Sequence, residues 1–378
     1  MNPHHQRSTW PVTILLATVL LSGQLAAGPL LWQDQPAAPI QEFLFIDTRD
    51  ASTLEMELNS NARLGWRLDL LPKSSLTNSI GALMTRAETG KRYQYKVLAT
   101  RRVSTIEKEF TQAAAEGWEF RGLMSQFGMG DLMVMAFTHV GGETSMVLER
   151  ESGETKPRFD YRLLSAQRKK TIQQELDQAV AEGYLPLAMA GGQDTSGAMV
   201  LIGPKFVINI VLGRSLESPD VDKGRYEYRL LGAAKVKTME KDINLAAKEG
   251  FRYYFSTPPL AVMMRRAKEN AEKGRYEYHL LATLKKATME KEMNEQGALG
   301  YHYIATGAGL GLATFFEHDT AEKADNARRT YLILKSGKDA TIQKRIGESL
   351  AAGWKLRDLT HLGEYVIVFD RSAPPAAN

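Results

Sequence analysis

The chain contains no cysteine, which excludes disulfide bonds, thiolate metal sites, cysteine nucleophiles and a lipid anchor on an N-terminal cysteine. It also lacks a strong net charge of either sign, because it contains 48 basic and 44 acidic residues and its formal net charge is +4. Such a balance gives no electrostatic case for nucleic acid as a partner. No histidine recurs at a position that could activate a serine or pair with a carboxylate. The sequence therefore predicts a protein that is not an enzyme and carries no cofactor.

Long apolar runs are also scarce. The exception is residues 12–21, which follow a short segment with Arg7 and no acidic residue and precede the small residues Ala26 and Ala27. A spanning helix needs roughly 20 apolar residues, so this run suits a cleaved secretory signal better. We predict a signal peptide at 1–27, a periplasmic or secreted mature chain, and no membrane span after cleavage. The alternative is an uncleaved N-terminal membrane anchor.

What the sequence does contain is an internal repeat, clearest where residues 226–251 return as residues 276–301. Six threonine–glycine pairs, each twelve residues apart, give its register: Thr53/Gly65, Thr105/Gly117, Thr171/Gly183, Thr238/Gly250, Thr288/Gly300 and Thr341/Gly353. Ten residues before each threonine stands an aromatic: Phe43, Tyr95, Tyr161, Tyr228, Tyr278 and Tyr331. Another follows each glycine: Trp66, Trp118, Tyr184, Phe251, Tyr301 and Trp354.

Each position of the repeat has a structural interpretation. The first aromatic begins a period-two strand, and the threonine is predicted to cap a short amphipathic helix; Ser52 and Ser104 are alternative caps in the first two copies. The glycine ends that helix in a left-handed conformation, and a second strand opens on the next aromatic. A third apolar run closes the unit. The aromatic rings are predicted to be core rather than a carbohydrate-stacking surface.

The fold class predicted is therefore α+β, with six tandem β-α-β-β repeats of about 50–65 residues. The boundaries predicted are 41–87, 92–150, 158–214, 225–266, 275–318 and 329–371, followed by a disordered tail at 372–378. Repeats 2 and 3 are longer: residues 132–137 and 199–202 are predicted as their third strands, and residues 145–148 and 206–212 as an extra fourth. One such unit would be marginal alone, so the repeats should either pair into three pseudo-dimers or stack in a row.

The Tyr-x-Tyr strand, the short helix and the A-x-x-G-W-E-hydrophobic ending resemble a widespread family of small bacterial domains of unknown function. The best matches are Gly117-Trp118-Glu119-Phe120 and Gly353-Trp354-Lys355-Leu356, with Tyr95 and Tyr331 at the strand position. Repeats 3 to 5 depart from that family, because tyrosine or phenylalanine replaces the tryptophan. The resemblance implies a fold unit and brings no activity with it.

Two groups of side chains are candidate binding residues. Basic residues recur between the first strand and the helix: Arg101, Arg102, Arg168, Lys169, Lys170, Lys235, Lys237, Lys285 and Lys286. Beside a helix N-terminus they could collect carboxylates or phosphates, or they could simply be solvated loops. Repeat 5 gathers His279, His302 and His318, which are candidate metal ligands or scattered surface histidines. Residues 307–311 are glycine-rich but precede no helix, so they are interpreted as a turn.

These features favour a non-enzymatic exported repeat protein that acts as a binding or scaffold module in the bacterial cell envelope. Its partner would be an anionic envelope polymer or another envelope protein. The alternative is an envelope hydrolase or metal-binding protein with its site in the divergent repeat 5. A structural protein or assembly chaperone with open strand edges is a third possibility.

Overall fold

The computed structural model describes residues 42–72, 74–75, 80–100, 103–126, 144–194, 205–233, 235–257, 261–269, 271–283, 285–308, 312–322, 328–337, 339–361 and 364–373. Its helices are α1 (Ala51–Arg63), α2 (Val103–Ala115), α3 (Lys169–Ala181), α4 (Val236–Lys248), α5 (Lys286–Ala298) and α6 (Asp339–Ala351). The strands of repeats 1 to 3 are β1 (Phe43–Thr48), β2 (Trp66–Leu70), β3 (Ser74–Ser75), β4 (Ile80–Arg86), β5 (Tyr93–Thr100), β6 (Glu119–Gln126), β7 (Thr144–Glu151), β8 (Phe159–Ala166), β9 (Leu185–Asp194) and β10 (Lys205–Ser215). Those of repeats 4 to 6 are β11 (Tyr226–Gly232), β12 (Arg252–Thr257), β13 (Ala261–Ala267), β14 (Tyr276–Leu281), β15 (His302–Ala308), β16 (Leu312–Asp319), β17 (Arg329–Ser336), β18 (Lys355–His361) and β19 (Tyr365–Ser372).

The fold is the predicted one: six α+β repeats, each with one helix and a small antiparallel sheet. In every sheet the third strand of the repeat lies in the middle, between the first and the second. The short strand β3 adds a parallel link from β18 of repeat 6 to β6 of repeat 2. No helix in the described part of the chain is long and apolar enough to cross a membrane.

The assignment of residues 145–148 and 206–212 as an extra fourth strand is wrong. Strand β7, which contains residues 145–148, pairs with both β5 and β6 and is therefore the third strand of repeat 2. Strand β10, which contains residues 206–212, takes the same middle position in repeat 3. Residues 132–137 and 199–202, which were predicted as those third strands, lie outside the described residues. In both repeats the apolar run nearer the next repeat forms the middle strand of the sheet.

Each helix lies between two sheets, because it packs against its own repeat and against the first strand of the next. Around α1, Leu54 and Leu58 contact Met84 of repeat 1 and both Tyr95 and Val147 of repeat 2 in a single core. The arrangement continues through all six repeats and then returns to the start, because α6 packs against β1. Ile342 and Ile346 of α6 share a core with Phe45 and Leu83 of repeat 1.

The six repeats therefore close into a ring of alternating sheets and helices, neither paired as pseudo-dimers nor stacked in an open row. The second strands of repeats 2 to 6 contact one another in sequence around the molecule (β6, β9, β12, β15 and β18) and form its inner side. The short strand β3 of repeat 1 completes this row between β18 and β6. The first strands, held apart by the helices, lie at the outer side. Both faces of each sheet are covered, which explains why the adjacent third-strand residues Leu83 and Met84 are both buried, as are Met146 and Val147.

The predicted left-handed conformation of the repeat glycine is confirmed. All six glycines have positive φ angles, between 79° at Gly353 and 96° at Gly183. At Gly117 the helix ends in a Schellman arrangement, because the Trp118 N–H donates to the Ala113 carbonyl three positions before the helix cap. The aromatics after the other described glycines of repeats 3 to 6 repeat that bond: Tyr184, Phe251, Tyr301 and Trp354.

The second strand begins one residue later than predicted, as repeat 4 shows. Helix α4 ends at Lys248, Glu249 is its C-cap, and Gly250 is the residue after the cap, with a φ angle of 91°. Strand β12 then begins at Arg252 rather than on the aromatic Phe251. The bond that closes the Schellman arrangement uses the Phe251 N–H, which explains why the aromatic still belongs to the turn.

The other repeats show the same displacement of the second strand. Only β2 begins on its aromatic, Trp66, whereas β6, β9, β15 and β18 begin one residue after theirs. At the far end of the chain, β19 extends to Ser372, one residue beyond the predicted end of repeat 6. The rest of the predicted tail after residue 373 lies outside the described residues.

The predicted threonine cap is wrong. Helix α1 is capped by Asp50, whose carboxylate accepts the N–H of Thr53 at 2.7 Å, and the Ser52 hydroxyl donates to the same carboxylate. Helices α3, α4 and α5 likewise have their N-caps three residues before their threonines, at Arg168, Lys235 and Lys285, with no side-chain bond there. Ser104 lies inside α2 rather than at its cap. The basic residues of these loops are therefore part of the helix starts.

Candidate functional site

The junctions between repeats hold most of the repeated polar contacts, and the first of these is an amide clamp. At the junction of repeats 1 and 2, the Asn59 side chain of α1 donates to the Tyr95 carbonyl at 2.8 Å and accepts the Tyr95 N–H at 2.9 Å. Asn244 and Asn294 clamp Tyr278 and Tyr331 in the same way. From an earlier helix position, Gln173 and Gln343 donate to the equivalent carbonyls, those of Tyr228 and Phe43, and accept the N–H two residues later, from Leu230 and Phe45. These side chains occupy the outer edges of five first strands.

A glutamate two positions after the repeat threonine also contributes to the junctions that follow repeats 1, 4 and 5. The carboxylates of Glu55, Glu240 and Glu290 accept the backbone N–H groups of Val97, Leu280 and Ile333 in the next repeat. The distances from the backbone nitrogen to the carboxylate oxygen are 2.7, 2.7 and 3.1 Å. Each of these bonds joins the helix of one repeat to the first strand of the next.

The first-strand tyrosine is the second junction contact. Its hydroxyl accepts the N–H of the residue three positions after the glycine of the preceding repeat, as between Tyr95 and Leu68 at 2.7 Å. Tyr161, Tyr278 and Tyr331 accept from Phe120, Tyr253 and Tyr303 in the same way. These rings are core, as predicted, but each hydroxyl also joins two repeats. Burial raises the pKa of Tyr95 and Tyr161, so both hydroxyls stay protonated at neutral pH.

The second strand of each repeat contains a β-bulge. The extra residue lies four positions after the glycine: Asp69, Arg121, Leu187, Tyr254, Ile304 or Arg357. Two of them bond the preceding repeat directly. Arg121 donates to the Leu68 carbonyl at 2.9 Å, and the Tyr254 hydroxyl donates to the Pro186 carbonyl at 3.0 Å. At Leu68 the same peptide segment is thus bonded from both sides.

Two junctions also contain a buried ion pair beside the tyrosine. Between repeats 1 and 2, Glu149 accepts the Tyr95 hydroxyl at 2.7 Å and pairs with Arg67 at 2.8 Å. Between repeats 4 and 5, Glu317 accepts the Tyr278 hydroxyl at 2.7 Å and pairs with Arg252. Only 5% of Glu149 and 8% of Glu317 is exposed, so each carboxylate needs both donors.

A cation on the third strand covers the aromatic after five of the six glycines. The guanidiniums of Arg86 and Arg150 stand 4.1 and 4.3 Å from the rings of Trp66 and Trp118. Arg214, Arg266 and Arg371 cover Tyr184, Phe251 and Trp354 in the same way. Four of these arginines also donate to the carbonyl before the glycine, where the helix dipole is negative: Arg86, Arg150, Arg214 and Arg266.

In repeat 5, histidines rather than an arginine pack against the aromatic that follows the glycine. His279 and His318 flank the Tyr301 ring at 6.3 and 5.2 Å, and His318 Nδ1 lies 3.0 Å from the Gly300 carbonyl. His279 Nδ1 is 3.2 Å from Glu240, and His302 Nε2 is 3.6 Å from Glu322. Within the described part of the chain no three metal-ligating side chains come together.

The described basic loops lie at the same edge of the ring, because their repeats have the same strand-to-helix connection. Arg168, Lys169 and Lys170 at the start of α3 are exposed, as are Lys235 and Lys237 at α4 and Lys285 and Lys286 at α5. Arg101 and Arg102 lie outside the described residues. The linkers between repeats, and the glycines after the helices, lie at the opposite edge.

The junction of repeats 6 and 1 closes the ring with its own polar contacts. His361, at the end of β18, pairs in parallel with Ser75 and lies edge-on to Tyr365 at 4.3 Å. The Tyr365 hydroxyl donates to Asp47 of repeat 1 at 2.6 Å. Burial lowers the pKa of His361 to about 4, so this imidazole is neutral at physiological pH.

Comparison with known proteins gave no family: no protein-family model matches the chain, and no curated protein is significantly similar to it.

Most junction residues were missed by sequence reasoning, which assigned the repeated aromatics to the core of one repeat. The signal that could have found them is the amide at the fourth position after Glu55, Glu240 and Glu290, occupied each time by asparagine (Asn59, Asn244, Asn294). The third-strand arginines gave no such signal, because the distance from the glycine varies from 16 residues at Arg266 to 33 at Arg150.

Proposed function

We propose that the protein is a non-enzymatic binding scaffold of the bacterial cell envelope, which holds an anionic polymer or protein at one edge of its ring. The observation that carries this proposal is the position of the basic loops of successive repeats at that single edge. A closed ring supports this role because its six junctions fix the loops relative to one another, and an extended ligand can then contact several of them at once.

The helix starts add to the attraction for anions. Three helices have a basic residue at the N-cap position and no side-chain acceptor there, namely Arg168, Lys235 and Lys285. Their first-turn N–H groups are free of a capping side chain, and the helix dipole is positive at this end. Carboxylates or phosphates on a polymer would therefore meet both guanidinium or ammonium groups and backbone donors.

The proposal is tested by retention on immobilised polygalacturonate at low ionic strength. A variant with five basic residues replaced by alanine (Arg168, Lys169, Lys170, Lys285 and Lys286) should elute at a clearly lower salt concentration than the parent chain. The matched control removes five exposed lysines from the opposite edge: Lys156, Lys223, Lys248, Lys268 and Lys273. Equal elution of the two variants would show only a net-charge effect and would refute the basic edge as the binding surface.

Export forms part of the proposal and rests on the N-terminal segment at 1–27. Fractionation of cells that produce the full chain should recover the protein, shortened by that segment, outside the cytoplasm. Recovery of the uncleaved chain in the membrane fraction would favour the N-terminal anchor instead.

A further inference from the structure

The junction between repeats 3 and 4 differs from the others at one hydroxyl. The first-strand tyrosine here is Tyr228, and the residue that should donate its N–H, three positions after Gly183, is Pro186. Proline has no N–H, so the bond made by Tyr95, Tyr161, Tyr278 and Tyr331 cannot form. Tyr228 therefore loses the donor that every other junction tyrosine receives.

The acceptor of this hydroxyl is replaced as well. In the sheet register Tyr95 stands opposite Glu149 and Tyr278 stands opposite Glu317, the two carboxylates that accept their hydroxyls. The residue opposite Tyr228 is Arg265. A cation thus occupies the place of the carboxylate, and Leu185 stands where Arg67 and Arg252 supply the cation elsewhere.

These replacements leave two polar groups without their usual partners. The Tyr228 residue is 4% exposed, and within the described residues its hydroxyl makes no hydrogen bond of normal length and angle. The polar groups that act on this hydroxyl are the Arg265 guanidinium and the Tyr254 hydroxyl. The Arg265 guanidinium stacks on the rings of Tyr226 and Tyr254, at 4.6 and 4.4 Å, and no described carboxylate pairs with it. Arg265 is only partly buried, so part of this residue is in contact with solvent.

At two other junctions a carboxylate of the chain itself, Glu149 or Glu317, accepts the tyrosine hydroxyl and pairs with a guanidinium. Burial, and then Tyr254, raise the pKa of Tyr228 well above its ordinary value although Arg265 acts in the opposite direction, so the hydroxyl stays protonated. Such a buried polar group is stabilised by any acceptor that reaches it. Arginine binds planar carboxylates through two parallel hydrogen bonds.

We propose that the junction of repeats 3 and 4 binds a carboxylate group of an external ligand, which accepts from the Tyr228 hydroxyl and pairs with the Arg265 guanidinium. The ligand class is a small monocarboxylate or a larger molecule that presents one. With Arg265 as the cation beside Tyr228 and the apolar Leu185 in the position of Arg67 and Arg252, the site suits one negative charge better than a phosphate dianion. This site lies at a junction between sheets and does not depend on the basic edge of the ring.

The test is a titration of the full chain with sodium acetate, with sodium chloride at equal ionic strength as the reference. Binding is followed by NMR of ¹³C-labelled tyrosine and by the thermal unfolding midpoint. We expect acetate, but not chloride, to shift the Tyr228 resonances and to raise the midpoint. Tyr228→Phe and Arg265→Gln should each weaken acetate binding at least about tenfold, since each removes a hydrogen bond to a charged group.

Tyr95→Phe is the matched control, because it removes the same hydroxyl at a junction where a carboxylate already fills the site. It should lower the unfolding midpoint without changing acetate binding, whereas Tyr228→Phe should leave the midpoint in chloride nearly unchanged. Arg265→Glu should restore the chain's own carboxylate and abolish the response to acetate. An acetate response that survives in Tyr228→Phe and Arg265→Gln, or its absence from the parent chain, would overturn the proposal.

Discussion

At the scale of the residue, the repeated positions serve the contact between repeats more than the interior of any one of them. Tyr95 fills a core with its ring and accepts a bond from Leu68 of the preceding repeat with its hydroxyl. Gly117 turns the chain and leaves room for the Thr155 backbone, which a Cβ would approach to 2.7 Å. A substitution at such a position therefore has to satisfy two repeats at once, which limits what can stand there.

His361 gives the chain a defined response to acid. Burial lowers its pKa in the folded state to about 4, below the value of 6.5 expected when it is exposed. Above pH 6.5 both states hold the neutral imidazole, whereas between pH 6.5 and 4 only the unfolded state takes up the proton. The contribution of His361 to stability is therefore lost as the pH falls through this window, by about 2 kcal/mol at pH 5.

The His361→Gln variant isolates this effect in urea unfolding at pH 7 and pH 5. We expect the difference in unfolding free energy between the two pH values to be smaller in the variant than in the parent chain. His302→Gln, at a partly exposed site, serves as a control for the loss of a histidine. The same pH dependence in the parent and the His361→Gln chain would contradict a neutral, buried imidazole.

At the scale of the element, the helix of each repeat protects the outer edge of the next repeat's first strand. The exception is α2, where Thr111 stands at the position of Asn59, Asn244 and Asn294. Its hydroxyl donates within the helix, to the Glu107 carbonyl, and no described side chain of α2 bonds the backbone of β8. This junction is packed instead by the stacked rings of Phe110 and Tyr161, 4.6 Å apart.

Thr111→Asn should supply the missing clamp and raise the free energy of unfolding by about 0.5–1.5 kcal/mol. The amide of Asn59 already bonds both Glu55 of its own helix and Tyr95 of the next repeat, so the backbone can accommodate this geometry. Urea unfolding gives the stability, and hydrogen exchange of the Tyr161 amide reports on the strand edge. Asn59→Thr is the reverse control and should be destabilising; unchanged exchange at Tyr161 in Thr111→Asn would contradict the clamp.

The glycine turns differ in the space around them, which separates two costs of substitution. Gly117 has a φ of 84° and backbone atoms of Thr155 close to the position of a Cβ, whereas Gly353 has a φ of 79° and nothing within 4 Å. Gly353→Ala should cost about 1 kcal/mol for the left-handed conformation alone. Gly117→Ala should cost clearly more in the same urea experiment, and equal losses would show that the linker at Thr155 moves aside.

The features that were predicted from the sequence are those whose residues recur at a fixed spacing in every repeat. Gly65 and its five counterparts were predicted because the helix has one length in every repeat. Residues 145–148 were misplaced because a second apolar run, at 132–137, satisfied the same pattern and nothing local distinguishes them. The Gln343–Phe43 contact spans 300 residues and leaves no periodic trace, so closure of the ring could not be deduced.

At the scale of the whole molecule, closure makes the junction of repeats 6 and 1 equivalent to the five that the chain connects covalently. Gln343 clamps the backbone of Phe43 and Phe45 as Gln173 clamps that of Tyr228 and Leu230. In an open row the two end repeats would each expose one face of a sheet or helix. In the ring neither end repeat exposes such a face. The same ring could therefore form with the chain beginning and ending between two other repeats.

A circular permutant tests this equivalence. Joining Ala373 to Glu42 through a linker of about six residues reproduces the connection that residues 87–92 make between β4 and β5, and the chain can then be opened in the linker between repeats 3 and 4, at Asp222. Because all six junctions persist, we expect the permutant to fold with the same circular dichroism and radius of gyration and to unfold in one transition. A control opened inside α4, at Asn244, should be strongly destabilised, since the clamp on Tyr278 and the helix are both broken. An extended permutant, as judged by small-angle scattering, would mean that the covalent links rather than the six junctions hold the ring closed.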